Sequence, residues 1–202
     1  AIRASVPGAN IVEAESLATL QDALAANPEC ELLLLDLNMP GVSGFSALAY
    51  VRSNYDSLPT VIVSAADDAM IVRRAIQHGA SGFISKSSSI QDIEAGIQAV
   101  LEGELQVPAG VDLDDGPIDE SEQAVASAMQ DLTPHQFRVL MMLTEGLLNK
   151  QIAYELGVSE ATIKAHITAV FRKLKVNNRT QAVLAVQKLA VSDPAALELS
   201  HA

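Results

Sequence analysis

The sequence predicts an α/β domain with a doubly wound parallel sheet, followed by an all-α domain. The first half alternates short apolar runs with stretches of helical period, which is typical of βαβ units whose sheet is covered on both faces. The last third carries helical patterns only. The net charge is −8 over residues 1–106, −7 over residues 107–131 and +3 over residues 132–202. This asymmetry indicates different partners for the two ends of the chain.

Composition excludes several classes of protein. With 202 residues, 49% of them apolar, the chain is long enough for two small cores. No apolar run approaches the ~18 residues of a membrane helix, and the N-terminus AIRASVPGAN lacks the layout of a signal peptide. We therefore expect a cytoplasmic protein with no membrane partner. The single cysteine, Cys30, is expected to be a small buried apolar residue.

The α/β half contains four predicted strands and four predicted helices. We expect strands at 10–13, 31–36, 59–64 and 80–85, and helices at 17–27, 45–54, 69–79 and 90–102. In a doubly wound sheet, ligands bind outside the carboxyl ends of the strands. Polar residues at those ends are therefore candidates for a functional site.

Three polar side chains stand at the carboxyl ends of consecutive predicted strands. Asp36 ends the run LLLLD, Ser64 ends PTVIVS, and Lys86 follows ASGFIS. A carboxylate nucleophile, a hydroxyl and an ammonium group at one sheet edge suit phosphoryl transfer, where positioning and charge neutralisation dominate. Each residue alone would more often be only solvated, but the three together predict a phosphoryl site.

The motifs DLNMPG, VIVSA and GASGFISK resemble, in order and spacing, those of response-regulator receiver domains. The resemblance implies a flavodoxin-like receiver domain over residues 1–106, with Asp36 phosphorylated by a sensor histidine kinase. It also implies that Ser64 and Lys86 bind the phosphoryl group and that Phe83 is the aromatic switch residue. The alternative for Phe83 is an ordinary core or surface aromatic.

The same resemblance implies a Mg²⁺ ion, held in the family by an acidic pair that follows a first strand. This sequence shows neither that strand nor the pair, so Asp36 and the backbone carbonyl of Asn38 are the expected ligands. Two ligands hold Mg²⁺ poorly, because the ion prefers octahedral oxygen coordination. Asp67 and Asp68 are expected to be solvated acids before a helix. We expect the natural protein to begin earlier; a rearranged N-terminal half is the alternative.

Residues 107–131 predict an acidic interdomain linker. The segment combines seven acidic residues with Pro108, Gly110, Gly116 and Pro117, and contains no Lys or Arg. A short helix over 120–130 is a possible end to it. A solvated loop with no further role is the alternative.

Residues 132–202 predict a helix-turn-helix arrangement. Thr133 and Gln136 flank Pro134 in an N-terminal capping pattern, a second helix is expected at 149–156, and a third follows Ser159 to about residue 175. The third helix has one apolar stripe and an opposite face that is short-chained and basic. Such a pair of helices suits the major groove of DNA, although a small bundle with a charged solvent face shows the same pattern.

The sequence of this region resembles the LuxR-type (NarL/FixJ-like) helix-turn-helix domain, including the segments NKQIA, VSEATIKAH and KLKVNNRTQAV. The resemblance implies a four-helix domain that binds double-stranded DNA. It implies base contacts from Lys164, Ala165 and Thr168, and phosphate contacts from Asn149, Lys150, Thr162 and Arg179. The last helix, expected at 180–189, would form a homodimer through Val183, Val186 and Ala190. The alternative is that the receiver domain covers this face.

These observations predict a two-component response regulator that acts as a transcription factor. Phosphorylation of Asp36 would control dimerisation and sequence-specific DNA binding. A LuxR-type regulator controlled by protein contacts, without phosphorylation, is the alternative. An enzyme is not expected, because an aspartyl phosphatase would normally carry a second Asp two residues after the nucleophile, where Asn38 stands.

Overall fold

The computed structural model describes residues 8–113 and 119–191. Predictions for the two termini, and for residues 114–118 of the predicted linker, lie outside these described residues. In chain order, the elements are α1 (Leu17–Ala26), β1 (Leu33–Leu35), α2 (Ser46–Asn54), β2 (Thr60–Ser64), α3 (Ala69–Gln77), β3 (Gly82–Ser85), α4 (Ile90–Leu101), α5 (Glu120–Gln130), α6 (Pro134–Thr144), α7 (Asn149–Glu155), α8 (Glu160–Leu174) and α9 (Arg179–Gln187).

The sheet has three parallel strands in the order β1-β2-β3. Val61 and Ile84 pack on one face against α4, whereas Ile62 and Phe83 join the larger core on the other face. The predicted doubly wound parallel sheet is therefore confirmed. Because Ser64 pairs with Ser85, β2 and β3 end at the same level, and the residues that follow them share one edge.

The predicted strand at 10–13 is wrong. These residues have no regular secondary structure, and the side chain of Val12 is 52% exposed. Among the described residues β1 pairs with β2 alone, so this segment has no neighbouring strand to satisfy its backbone groups. The expectation for Cys30 is also wrong. Cys30 is exposed in the turn before β1, where its thiol donates to the Leu32 carbonyl at 3.3 Å.

Most of the helices begin at residues whose side chains accept hydrogen bonds from the first turn; α2 and α7, which follow Phe45 and Leu148, do not. Thr133 and Gln136 form the predicted capping box on α6, and Ser159 caps α8 through Thr162 N. The four helices of the α/β half end within two residues of their predicted positions. The possible helix at 120–130 is confirmed as α5, with Asp119 as its N-cap.

The C-terminal half packs α6, α7, α8 and α9 around buried apolar side chains. Phe137, Leu140 and Ile152 are fully buried, together with Ile163 of α8. Val170 and Leu174 continue the predicted apolar stripe of α8, and Ile167 and Phe171 are partly buried beside them. The stripe on α8 is therefore confirmed as the side that faces the core.

The two halves share one apolar core, because α2 is buried on all sides. Leu48 and Val51 of α2 lie in the same core cluster as Ala126 and Met129 of α5. Tyr50 of α2 packs against Phe137 of α6, with ring centroids 5.0 Å apart. Burial of Tyr50 raises the pKa of its hydroxyl to about 12. The halves are thus packed together, as parts of one hydrophobic interior.

Within residues 8–113 and 119–191, none of the helices combines the length and apolarity that a bilayer crossing requires.

We expect Phe137→Ala to lower the free energy of unfolding by about 3–5 kcal/mol, because it leaves a cavity next to Tyr50 in the shared core. Urea denaturation followed by circular dichroism measures this change. Tyr154→Ala is the matched control, since Tyr154 is 84% exposed on α7 and should change stability by about 0.5 kcal/mol or less. Equal losses for the two variants would contradict the shared core.

Candidate phosphoryl site and nucleic-acid interface

Asp36 and Lys86 form an ion pair at the carboxyl edge of the sheet. Lys86 Nζ lies 2.5 Å from Asp36 Oδ2, and the backbone N–H of Asn38 donates to Asp36 Oδ1 at 3.0 Å. The Asp36 side chain is 36% exposed and that of Lys86 is 44% exposed. The carboxylate is therefore held in a fixed position but can be reached from solvent.

Ser64 and Phe83 are buried in the neighbouring strands β2 and β3. Ser64 is 1% exposed, and its hydroxyl oxygen accepts from Ala66 N at 3.2 Å, while its carbonyl accepts from Lys86 N at 2.8 Å. The hydroxyl is thus bonded to its own loop in this conformation. Phe83 is also 1% exposed, in the core between the sheet and the helices. Its proposed switching role stays a prediction.

The described residues do not supply a complete Mg²⁺ site. No group of three or more His, Cys, Asp or Glu side chains that could hold a metal occurs in the part of the chain that the structure covers. Asp36 is engaged with Lys86, which leaves the Asn38 carbonyl as the other predicted ligand. Such a donor set does not meet the octahedral requirement of Mg²⁺.

The expectation that Asp67 is only solvated is wrong. Its Oδ2 accepts a hydrogen bond from Ser85 Oγ at 2.6 Å, because β2 and β3 end at the same level. Asp68 behaves as expected, since its Oδ1 caps α3 by accepting from Met70 N and Ile71 N.

The outer face of α8 is open to solvent. Lys164, Ala165 and Thr168, the predicted base-reading residues, are all exposed. Lys164 Nζ pairs with Glu160 Oε1 at 3.1 Å, and the Thr168 hydroxyl donates to the Lys164 carbonyl at 2.9 Å. Both side chains thus lie along the helix. The outer face of α8 therefore carries no long projecting side chain at these positions and is accessible to solvent.

Three of the four predicted phosphate contacts lie around one surface depression. Asn149, Lys150 and Arg179 line it together with Leu148 and Glu160, and its volume is about 340 Å³. Thr162 lies apart, where its hydroxyl is 2.8 Å from Ser159 Oγ. Arg179 has an additional structural role, because its terminal nitrogens donate to the carbonyls of Leu143 and Leu147 at 2.6 and 2.9 Å.

The predicted dimer face of α9 is largely covered. Val186 is 2% exposed and Val183 is only partly exposed, whereas Ala190 is partly exposed in the segment that follows the end of α9 at Gln187. Val183 and Val186 line a cavity of about 230 Å³ with residues 41–43, in the loop that follows Asp36. The structure therefore shows the arrangement in which the N-terminal domain covers this face. A symmetric contact through α9 stays a prediction for a different conformation.

Sequence reasoning missed the polar contacts between the two halves. Arg138 of α6 donates to Gln21 Oε1 at 2.9 Å, and Arg74 Nε donates to both carboxylate oxygens of Glu122 at 3.0 and 3.1 Å. In sequence each of these residues looks like an ordinary solvated position on an amphipathic helix. A signal was available in α2, because SALAYV has no polar face for solvent.

An acid–lysine pair at a sheet edge, joined to a helix-turn-helix with an exposed basic face, defines the class of signal-receiving transcription regulators. Residues 3–98 match the response regulator receiver domain family, and residues 130–186 match the family described as bacterial regulatory proteins, luxR family. The chain belongs to the response regulators that combine a receiver domain with a LuxR-type DNA-binding domain.

Individual relatives align with the chain over most of their length. The chain is 39% identical over 183 residues to the glycerol metabolism activator of Pseudomonas putida, covering 88% of this chain and 83% of the relative. It is 34% identical over 181 residues to the nitrate/nitrite response regulator protein NarP of Escherichia coli, covering 88% and 82%. The RcsB response regulator of Salmonella typhimurium shares the fold, with a TM-score of 0.52 and 23% identity over 91% of this chain and 90% of that one.

We expect Arg179→Ala to lower the free energy of unfolding by about 1.5–3 kcal/mol, because it removes two charge-assisted hydrogen bonds to backbone carbonyls. Urea denaturation measures the change. Arg172→Ala is the control, since Arg172 is exposed on α8 and its loss should change stability by about 0.5 kcal/mol or less. Unchanged stability of Arg179→Ala would show that those two bonds do not hold α9 to α6.

Proposed function

We propose that this response regulator is a DNA-binding transcription factor whose Asp36 accepts a phosphoryl group from a sensor histidine kinase. Phosphorylation shifts the chain from a closed state to one in which α9 is free to form a symmetric dimer on double-stranded DNA. The proposed site of action is the cytoplasm, and the proposed role is regulatory and not enzymatic.

One observation carries this proposal: the loop that leaves the phosphoacceptor site covers the predicted dimer face. Residues 41–43 line a cavity with Val183 and Val186 of α9, and Phe45 N donates to the Leu189 carbonyl at 2.9 Å. Only eight residues lie between Asp36 and Phe45 along the chain. A rearrangement of this loop would therefore act on α9 directly. Phosphorylation would shift the chain between the closed and open arrangements if the phosphoryl group interacts more favourably with the open one.

The geometry at Asp36 suits an acyl phosphate. A carboxylate oxygen of Asp36 would attack phosphorus as the P–N bond of the kinase phosphohistidine breaks, and the electron pair of that bond stays with the histidine nitrogen. The added negative charge would compete for Lys86 Nζ, which now lies on Asp36 Oδ2. The Ser64 hydroxyl would leave Ala66 N for a phosphoryl oxygen, which changes the loop after β2.

The DNA proposal is supported by the exposed face of α8 and the depression beside it. Lys164, Ala165 and Thr168 are exposed where base edges would be read, and Lys150 and Asn149 flank them at the depression. A symmetric dimer would place two such faces on two half-sites.

A regulator controlled by protein contacts, without phosphorylation, is the second candidate. It is favoured by the incomplete donor set for Mg²⁺ among the residues that the structure describes. The two candidates differ in whether Asp36 is required for regulation.

We expect acetyl phosphate with Mg²⁺ to add one phosphoryl group to the chain and to increase the dimer fraction, because the altered loop releases α9. Intact-mass spectrometry measures the first effect and sedimentation velocity measures the second. Asp36→Asn should show neither, whereas Asp56→Asn, a change at an exposed acid after α2, should behave as the wild type. Phosphorylation without a change in dimer fraction would contradict the phosphorylation-controlled dimer. Asp36→Asn that dimerises and binds DNA as the wild type does would select the second candidate.

Lys164 and Lys150 should differ in how they affect DNA binding. We expect Lys164→Ala to relax base preference at one position of each half-site, with a cost of about 1–3 kcal/mol, because it faces base edges. Lys150→Ala should weaken binding to all sequences alike and reduce the salt dependence by about one counterion. Fluorescence anisotropy on duplexes selected from a random pool by the wild-type chain measures both. Identical behaviour of the two variants would contradict the assigned roles.

A further inference from the structure

The segment directly after α9 presents three consecutive backbone carbonyls to the receiver domain. Arg74 Nη2 donates to the carbonyls of Lys188 and Ala190 at 2.9 and 3.2 Å, and Phe45 N donates to the Leu189 carbonyl between them at 2.9 Å. All three acceptors belong to the DNA-binding half, and both donors belong to the receiver. A cation near the C-terminal end of a helix is electrostatically favourable.

The guanidinium of Arg74 is held in place from two further sides. Glu122 of α5 accepts from its Nε and also lies 3.0 Å from its Nη2, and the carboxylate receives a third contact from His78 Nε2 at 2.6 Å. The guanidinium also lies over the Phe45 ring, 4.9 Å from the centroid. The side chains of Glu122 and His78 are only 10% and 8% exposed, so solvent screens this cluster weakly.

Gly44 completes the fit by having no side chain. A Cβ at this position would lie 2.1 Å from the Leu189 carbonyl oxygen, 2.7 Å from Val191 N and 2.8 Å from Ala190 Cα. All three are backbone atoms, so they cannot rotate away. The backbone of Gly44 also has φ of +50°, in the left-handed region. The close approach of the two domains thus depends on a glycine in the loop after Asp36.

We propose that Arg74, Phe45 N–H and Gly44 form a clasp on residues 188–190, and that this clasp acts together with the shared apolar core to keep the two domains closed. Glu122 is its positioning residue, because it holds Arg74 in the orientation that reaches two carbonyls. The clasp deepens the proposed function, on which its regulatory meaning rests. The clasp binds backbone carbonyls of this same chain, so it does not depend on which side chains stand at 188–190.

Domain opening is measured by pulsed dipolar EPR between spin labels on Cys30 and on a cysteine introduced by Tyr154→Cys. Both sites are exposed, and they lie in different halves of the chain. We expect a single short-distance population for the otherwise wild-type chain. Gly44→Ala and Arg74→Ala should shift most of that population to longer, broader distances, and Glu122→Gln should shift a smaller part of it.

Two matched controls separate the clasp from local damage. Gly103→Ala places the same methyl group on a glycine with φ of +87°, but nothing lies within 4 Å of it. Arg73→Ala removes the neighbouring arginine of α3, whose guanidinium donates to the Asp112 carbonyl. Both controls should keep the wild-type distance distribution. Circular dichroism shows whether each variant remains folded, and Gly44→Ala decides the matter if Arg74→Ala unfolds, because it leaves the buried charges paired.

The outcomes distinguish the clasp from the proposed function. Opening in Gly44→Ala, with unchanged controls, supports the clasp. If that open variant also dimerises without phosphorylation, the proposed function gains support; if it stays monomeric, the clasp stands and the link to dimerisation fails. A wild-type distance distribution in folded Gly44→Ala and Arg74→Ala would overturn the clasp, whatever phosphorylation of Asp36 does.

Discussion

The burial of α2 on every side is the constraint on which the rest of the structure depends. Residues 46–51 are all buried, which a helix can achieve only when it has packing partners on both sides. The sheet provides one partner, and α5 with α6 provides the other through Ala126, Met129 and Phe137. If the DNA-binding half moved away, Leu48 and Tyr50 would lose much of their cover. At roughly 25 cal/mol per Å² of apolar surface, such exposure favours the closed arrangement.

This constraint brings the candidate phosphoryl site at Asp36 and the DNA-binding half close together. The chain runs from Asp36 at the end of β1 directly into α2, and the intervening loop lies against α6 and α9. Leu17 N donates to the Pro40 carbonyl at 3.2 Å, which fixes the same loop to α1. The loop is therefore restrained at both domains. Under the proposed function, a chemical change at Asp36 would reach the DNA-binding half through short-range packing, without a long chain of intermediates.

Sequence patterns predicted the elements whose causes are local. The strand ends that carry Asp36, Ser64 and Lys86, and the N-caps that begin α6 and α8, depend on neighbouring residues and were found. The strand at 10–13 was wrong, because a strand requires a hydrogen-bonding partner that local pattern cannot guarantee. Asp67 was misread for a related reason: its contact, Ser85, lies 18 residues away on another strand.

The polar contacts between the two halves could not be predicted, because they rest on pairs distant in sequence. Gln21 with Arg138 and Arg74 with Glu122 are separated by 117 and 48 residues, and each partner alone has the appearance of a surface residue. These pairs become recognisable as contacts only when the helices are placed side by side. Two local signs of this packing were present: residues 46–51 of α2 have no charged face for solvent, and the apolar face of α9 was a candidate to be covered by the receiver domain.

The closed conformation covers α9 but leaves the outer face of α8 exposed, and this division has a kinetic consequence under the proposed function. A single DNA-binding half could still bind DNA weakly and without base preference. The unphosphorylated protein would then remain bound non-specifically to DNA for part of the time. Activation would then dimerise two DNA-binding halves that are already bound to DNA. The second DNA-binding half of the dimer would bind its half-site at a high effective concentration. Occupancy of the DNA site would rise through avidity, without any change in the structure of either half.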